Sequence, residues 1–224
     1  MTKIAVDLFS GTGSATKAFR ESNDWKVFAV ELNPNNDFDS DRIDLEKDIM
    51  DVNPEELPNK VDFVWASPPC TDFSVACMSD KWTKKGLPKV DTVPNSVAIV
   101  YKTLYLIREM NPDYWFMENP RGKMRKVTPD SLSEIRYTIT YCQYGDDRMK
   151  PTDLWGVHPS SFKYRKCKNN AACHQSSPRG SQKGTQMLSG NKKRSMIPYG
   201  LSKEIFDAVE NPGKYKKQQS LMEV

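Results

Sequence analysis

The chain has 224 residues, 38% of them hydrophobic and 28% charged, with a net charge of +4. That suits one domain with a small insertion and excludes a membrane span: no run of about 18 apolar residues occurs, and the short run IAVDLF contains an aspartate and lacks a cleavage site. Five cysteines in no regular framework fit reduced thiols in a soluble, cytoplasmic protein rather than a disulfide scaffold.

The first predicted element is a buried strand, 3-KIAVDLF-9, running into the glycine loop SGTGS. A helix over 14–22 follows, with Ala15, Ala18 and Phe19 on one face. The second strand, 26-KVFAVEL-32, ends in an acid and the turn residues NPNN. A third, 61-VDFVWAS-67, leads into 66-ASPPCTDFS-74. Residues 96–110 carry helical spacing at Val97, Val100, Leu104 and Ile107, with Asn95 or Ser96 as N-cap. The fourth strand, 113-DYWFMEN-119, precedes a loop with Pro120 and Gly122. Two more strands are predicted at 136-RYTITYC-142 and 153-DLWGV-157, and a last helix at 202–210 stops at Asn211-Pro212-Gly213. Segment 158–195 is rich in Ser, Gly, Lys and Asn and shows no period.

Alternating strands and helices predict an open, mostly parallel α/β sheet, in which ligands bind at the carboxyl ends of the strands. The unusual residues occur at those ends: the glycine loop, Glu31, Pro68-Pro69-Cys70 and Glu118-Asn119-Pro120. Charge is uneven. Residues 148–194 hold eleven Lys or Arg and one acid, Asp153, a net of +10 that leaves −6 for the rest of the chain. With Trp155, Phe162 and Tyr164 interspersed, this basic stretch predicts contact with a polyanion.

Gly11 and Gly13 allow a tight turn and close approach of a nucleotide-like ligand, although Thr16 replaces a third glycine. Glu31 can accept from both hydroxyls of a ribose, or be an exposed acid before a turn. Asp48 can take an adenine amino group, or be a surface acid. Cys70 follows two prolines that fix its backbone, as a covalent mechanism needs, although a cysteine can equally be a small core residue. Glu118, at the next strand end, is placed to hold or deliver a proton.

In this order DLFSGTGS, Glu31, Asp48, SPPC and ENP resemble the motifs of the cytosine-C5 DNA methyltransferases, over roughly residues 3–155 plus the last helix. The resemblance implies a Rossmann-like fold that uses S-adenosylmethionine. Phe9 would stack near the adenine, Glu31 would hold the ribose and Asp48 the adenine edge. Asp7, Gly11, Gly13 and Pro68 would complete the cofactor site. Cys70 would be the nucleophile and Glu118 would act on the base, with Asn119 and Pro120 beside the substrate. The implied partner is duplex DNA with one cytosine flipped out, in a bacterial or phage-infected cell, in restriction, protection or regulation.

The chain departs from the family pattern in three places. Arg148, Lys150 and Thr152 stand where a Gln-x-Arg-x-Arg run is usual, Arg194-Ser195 stands for a Gly-Asn, and ENV appears as ENP. Ser195, or Asn191 four residues earlier, would contact the cofactor. The expected organisation is a catalytic domain over 1–155, a reduced target-recognition insertion over 156–190, and a returning segment over 191–224. So short an insertion implies few base pairs read, or help from a second subunit or self-association. Its stretch 178–186, with Arg179, reads as a phosphate-contacting loop. Residues 75–95 form a long loop, expected to be a lid or binding loop. There Lys81, Lys84 and Lys85 would touch phosphates, and Trp82 would either fill the gap left by the flipped base or pack onto the body. The stretch 167-CKNNAACH-174 with His158 raises zinc, but C-x5-C-H is poor finger spacing, so free thiols and no metal are expected. Three other readings stay open: a tRNA cytosine-C5 methyltransferase, an amino-group methyltransferase (against which Cys70 and Glu118 argue), and an inactive nucleic-acid-binding relative.

Overall fold

In the computed structural model, residues 1–33, 42–168, 171–175 and 191–213 are described. The strands are β1 (Lys3–Leu8), β2 (Trp25–Glu31), β3 (Leu45–Glu46), β4 (Phe63–Ala66), β5 (Tyr114–Pro120), β6 (Arg136–Thr140) and β7 (Pro151–Trp155). The helices are α1 (Lys17–Arg20), α2 (Met78–Lys81), α3 (Thr92–Met110), α4 (Asn191–Ser195) and α5 (Tyr199–Glu210). The strands form one sheet in the order β3-β2-β1-β4-β5-β7-β6. All neighbours run parallel except at β7, which is antiparallel to both β5 and β6.

Side chains alternate across a strand, so each strand feeds two cores. Val6, Leu8, Val64, Ala66, Trp115 and Met117 face α3, packing with Val100, Leu106 and Ile107. Ala5, Phe63, Trp65 and Phe116 face the other way, onto Phe19 beside α5's Leu201 and Ile205. Burial on both faces explains why the strands read as continuous apolar runs. Among the described residues no helix is long and apolar enough to cross a membrane.

Several boundaries differ from the sequence reading. Helix α3 begins at Thr92 rather than 96, because Pro94 falls in its first turn, where no amide hydrogen is needed. It ends where Asn111 turns left-handed at φ 43°, its N–H reaching Ile107 and Arg108 carbonyls. Only one turn of the expected 14–22 helix forms, since Ser14 and Thr16 spend their hydroxyls on tertiary bonds to Ile197 N and Asp7. Strand β6 stops at Thr140, and Tyr141–Tyr144 form a 3₁₀ turn instead of prolonging it. Strand β7 is displaced two residues upstream of the expected 153–157, and the two-residue β3 was too short to read from pattern. Helix α5 starts three residues earlier than expected, after Pro198. The NPNN turn from residue 34 onward, and Arg179 with its loop 178–186, lie outside the described residues.

Candidate active site

The glycine loop closes β1. Three residues there have positive φ: Phe9 at 64°, Gly11 at 49° and Gly13 at 66°. For a phenylalanine this is a strained backbone, of the kind found at functional sites. Beneath the loop Asp7 is fully buried and accepts from Thr16 Oγ1 at 2.6 Å and Ser10 Oγ at 3.3 Å. Burial, only partly offset by the Thr16 bond, pushes its carboxyl up to about 6. Asp7 therefore shapes the loop from below. At the end of β2, Glu31 Oε2 accepts from Gly11 N at 2.7 Å, and Oε1 accepts from Leu32 N at 3.0 Å. The half-buried Glu31 carboxylate thus sits against the glycine loop. Asp48 caps a short turn through Met50 N, at 2.9 Å.

The second half of the site lies at the ends of β4 and β5. Pro68 is buried and its carbonyl accepts from Asn119 Nδ2 at 2.8 Å, which ties the cysteine loop to β5. Cys70 is half-exposed. Burial, then the negative charge of Glu118, push its thiol up, while Lys150 pulls it back. Glu118 is 4% exposed. Its Oε1 accepts from Tyr141 Oη at 2.8 Å and lies 3.9 Å from Lys150 Nζ. No hydrogen bond to Oε2 is present among the described residues. Burial, with the adjoining Glu118 charge, keeps the Tyr141 hydroxyl protonated far above its ordinary value, so it remains a donor. Pro120 is half-buried at the end of β5.

Sequence reasoning missed Tyr141, which it placed inside a strand. It arrives because β7 separates β5 from β6 in the sheet, an order that spacing alone does not reveal. It also missed the brace behind Cys70. Lys123 N donates to the Phe73 carbonyl at 2.6 Å, and a Cβ on Gly122 would overlap that same oxygen.

Other expected site residues are placed as follows. All five donors of the buried Arg148 are engaged, on the Asp146 carboxylate and on the carbonyls of Lys193, Arg194 and Met196. It clamps the returning segment beside the site. Thr152 is buried, its hydroxyl on the Lys150 carbonyl at 3.2 Å. Trp82 packs onto the body, the second of its two expected placements: it is 5% exposed and donates to the Asp72 carbonyl at 2.6 Å. Lys84 and Lys85 are exposed in the adjoining turn. Ser195 is exposed at the end of α4. His158 is a core residue, stacked on Phe116 at 3.9 Å with Nδ1 bonded to Tyr164 Oη at 2.8 Å.

The family model for C-5 cytosine-specific DNA methylases matches residues 4–147. The chain belongs to this family. The matched span holds the methylase glycine loop, Cys70, Glu118 and Tyr141, and ends just before Arg148 and the basic segment. A probable DNA (cytosine-5)-methyltransferase of Frog virus 3 is 29% identical over 174 residues, covering 75% of this chain and 76% of the relative. Among solved structures, a putative DNA modification methyltransferase encoded within an E. coli prophage superposes with a TM-score of 0.50 at 15% identity. That match covers 75% of this methylase-family chain, which spans 52% of the solved one. The methyltransferase EhMeth of Entamoeba histolytica gives 0.49 at 12% identity, covering 75% and 57%. The prophage superposition shows the fold: the mostly parallel sheet with helices on both faces.

Proposed function

We propose that this chain transfers a methyl group from S-adenosylmethionine to carbon 5 of cytosine in DNA, through a transient bond between Cys70 and carbon 6. The observation that carries the proposal is the placing of Cys70 just past the end of β4 and of the buried Glu118 on the paired strand β5, with Lys150 Nζ 3.9 Å from that carboxylate.

The residues at the first two strand ends fit the cofactor. A left-handed loop at Phe9, Gly11 and Gly13 lets a ligand approach the backbone, and Glu31 brings a carboxylate of the type that ribose hydroxyls require. Asp48 would take the adenine edge, and Pro68 and Ser195 would complete the cofactor contacts. Bound there, S-adenosylmethionine supplies an electrophilic methyl on a sulfonium.

Carbon 5 of cytosine is a weak nucleophile. Addition of the Cys70 sulfur to carbon 6, with the thiol proton passing to the Glu118 carboxylate, breaks the ring's conjugation and moves electron density to carbon 5 and to N3, where that proton is shared. Glu118 supports N3 through Oε2, while Tyr141 and Lys150 hold Oε1 in place. Lys150, rather than the fully engaged Arg148, is the cation we assign to the base carbonyl. Once carbon 5 is methylated, its proton leaves to a base and the carbon–sulfur pair returns to Cys70, restoring the ring. None of these atoms is reachable inside a stacked duplex, so the base must be flipped. Exposed Lys163, Arg165, Lys166 and Lys168 offer the backbone contacts.

DNA carrying 5-fluorocytosine tests this, because fluorine cannot leave as a proton does. With cofactor, an SDS-stable protein–DNA complex is expected, absent for Cys70→Ala. A complex that persists in the variant would move the nucleophile elsewhere. Trapping by fluorocytosine in tRNA but not in duplex DNA would transfer the activity to RNA.

A further inference from the structure

Spacing argued against a metal in 167–174, but the fold brings in a ligand from much earlier in the chain. Cys142, on the 3₁₀ turn after β6, joins Cys167, Cys173 and His174, and their four ligand atoms all lie within 4.8 Å of one another. From these residues we infer a structural zinc site of the Cys₃His type, which fastens the start of the recognition segment to the catalytic body. It does not depend on the proposed reaction.

Four of the six ligand–ligand distances lie close to those an ion imposes. The Cys167 and Cys173 sulfurs are 3.4 Å apart, and Cys173 lies 3.8 Å from Cys142. His174 Nδ1 lies 3.4 Å from Cys167 Sγ and 3.7 Å from Cys173 Sγ. A tetrahedral ion with Zn–S bonds of about 2.3 Å and Zn–N of about 2.0 Å separates its ligands by roughly 3.5–3.8 Å. Three soft sulfurs and one imidazole, with no carboxylate among them, select zinc over hard cations. The donor around the cluster fits as well: Gln143 Nε2 reaches Cys173 Sγ at 3.2 Å, as partners of ligating sulfurs do. Four protein ligands leave no open position, which is the mark of a structural ion.

A disulfide between Cys167 and Cys173 would account for two of the four residues and leave the convergence of Cys142 and His174 unexplained. The segment also needs a staple. In 163-KYRKCKNNAACHQ-175 only Tyr164 is a large apolar side chain, and it is the segment's contribution to the second core. Burial cannot hold such a stretch, whereas metal ligation supplies folding free energy directly. The backbone supports the placement: Cys167 N donates to Thr140 Oγ1 at 2.7 Å and Gln175 N to the Asp147 carbonyl at 3.0 Å. Adenosine chemistry plays no part here, but position does. Cys142 follows Tyr141, which holds Glu118, so the ion would brace the turn that orients this carboxylate.

The test is elemental analysis of the full chain, purified reduced, anaerobically and without chelator. About one zinc per chain is expected for wild type and for Cys70→Ala, and background for Cys142→Ser and Cys173→Ser. Because those variants can misfold, metal-free wild type is also titrated with cobalt(II). Intense tetrahedral visible bands and a sulfur-to-cobalt charge-transfer band, both abolished by one equivalent of zinc, are expected. Protein that retains no zinc and gives no charge-transfer band overturns the site. So does a Cys167–Cys173 disulfide found by mass spectrometry in protein handled this way.

Discussion

The Cys70 thiol is held quiet in the resting protein. Burial comes first, and the Glu118 carboxylate adds to it; Lys150 opposes them. In the proposed reaction a thiol tuned this way ionises when the carboxylate charge is neutralised, and the proton that Cys70 gives up is the one that Glu118 and N3 of a bound base would share. Glu118→Gln mimics that neutralisation without the base. We expect the variant to alkylate faster at Cys70 with iodoacetamide, its pH profile moved to lower pH, as read by peptide mass spectrometry to separate it from the other four cysteines. Methyl transfer should nevertheless fall by about 10²–10⁴-fold, because Gln cannot supply the proton. Lys150→Met should move the alkylation profile the other way. An unchanged profile in both variants would show that the three groups are not coupled.

At the level of elements, the site depends on how the cysteine loop is pressed against the chain that leaves β5. Gly122 is extended, so its backbone is open to any residue, but a side chain there would collide with the Phe73 carbonyl. The Lys123 N–Phe73 O bond and the Ser74–Gly122 bridge hold the two loops in contact. Gly122→Ala must part them, and overpacking of this kind costs about 1–3 kcal/mol. A matching fall in the urea midpoint and a loss of methyl transfer larger than the stability change accounts for are expected; wild-type activity in the variant would remove the brace from the mechanism. The sequence made part of this visible. Strands buried on both faces announce themselves as apolar runs, and the Pro-Pro-Cys loop after β4 and the Glu-Asn-Pro end of β5 fell at strand ends as read. What stayed hidden depends on sheet order and on contacts between distant segments. Tyr141 reaches Glu118 only because β7 lies between β5 and β6. Cys142 meets Cys173 across 31 positions, which a local C-x5-C-H pattern cannot register. Arg148 stands where the family's Gln-x-Arg-x-Arg run is usual, but the carbonyls of Lys193, Arg194 and Met196 that occupy it come from a segment whose path has no local signal.

For the whole molecule, stability should depend on pH through one buried imidazole. Desolvation lowers His158 to about 3, against an ordinary value near 6.5, because it is stacked on Phe116 within the second core. Between those two values the unfolded chain binds a proton that the folded chain refuses. Stability is therefore fully present above about pH 6.5 and is lost as pH falls toward 3, by about 1.4 kcal/mol per pH unit for one proton. Asp7 works in the opposite sense. Held up at about 6 from 3.8, it keeps a proton in the folded state that the unfolded state has lost, so its contribution is present below about 3.8 and lost as pH rises through 6. The two windows overlap, and wild type alone would show only their difference. His158→Phe separates them. It keeps a ring against Phe116 but gives up the bond to Tyr164, so at pH 8 it should be less stable by about 1 kcal/mol. Lowering the pH should close that gap and then reverse it, since the variant has no proton to refuse. Urea midpoints for both proteins at half-unit steps from pH 8 to pH 5 decide the matter: parallel curves would mean that His158 carries its proton as readily folded as unfolded.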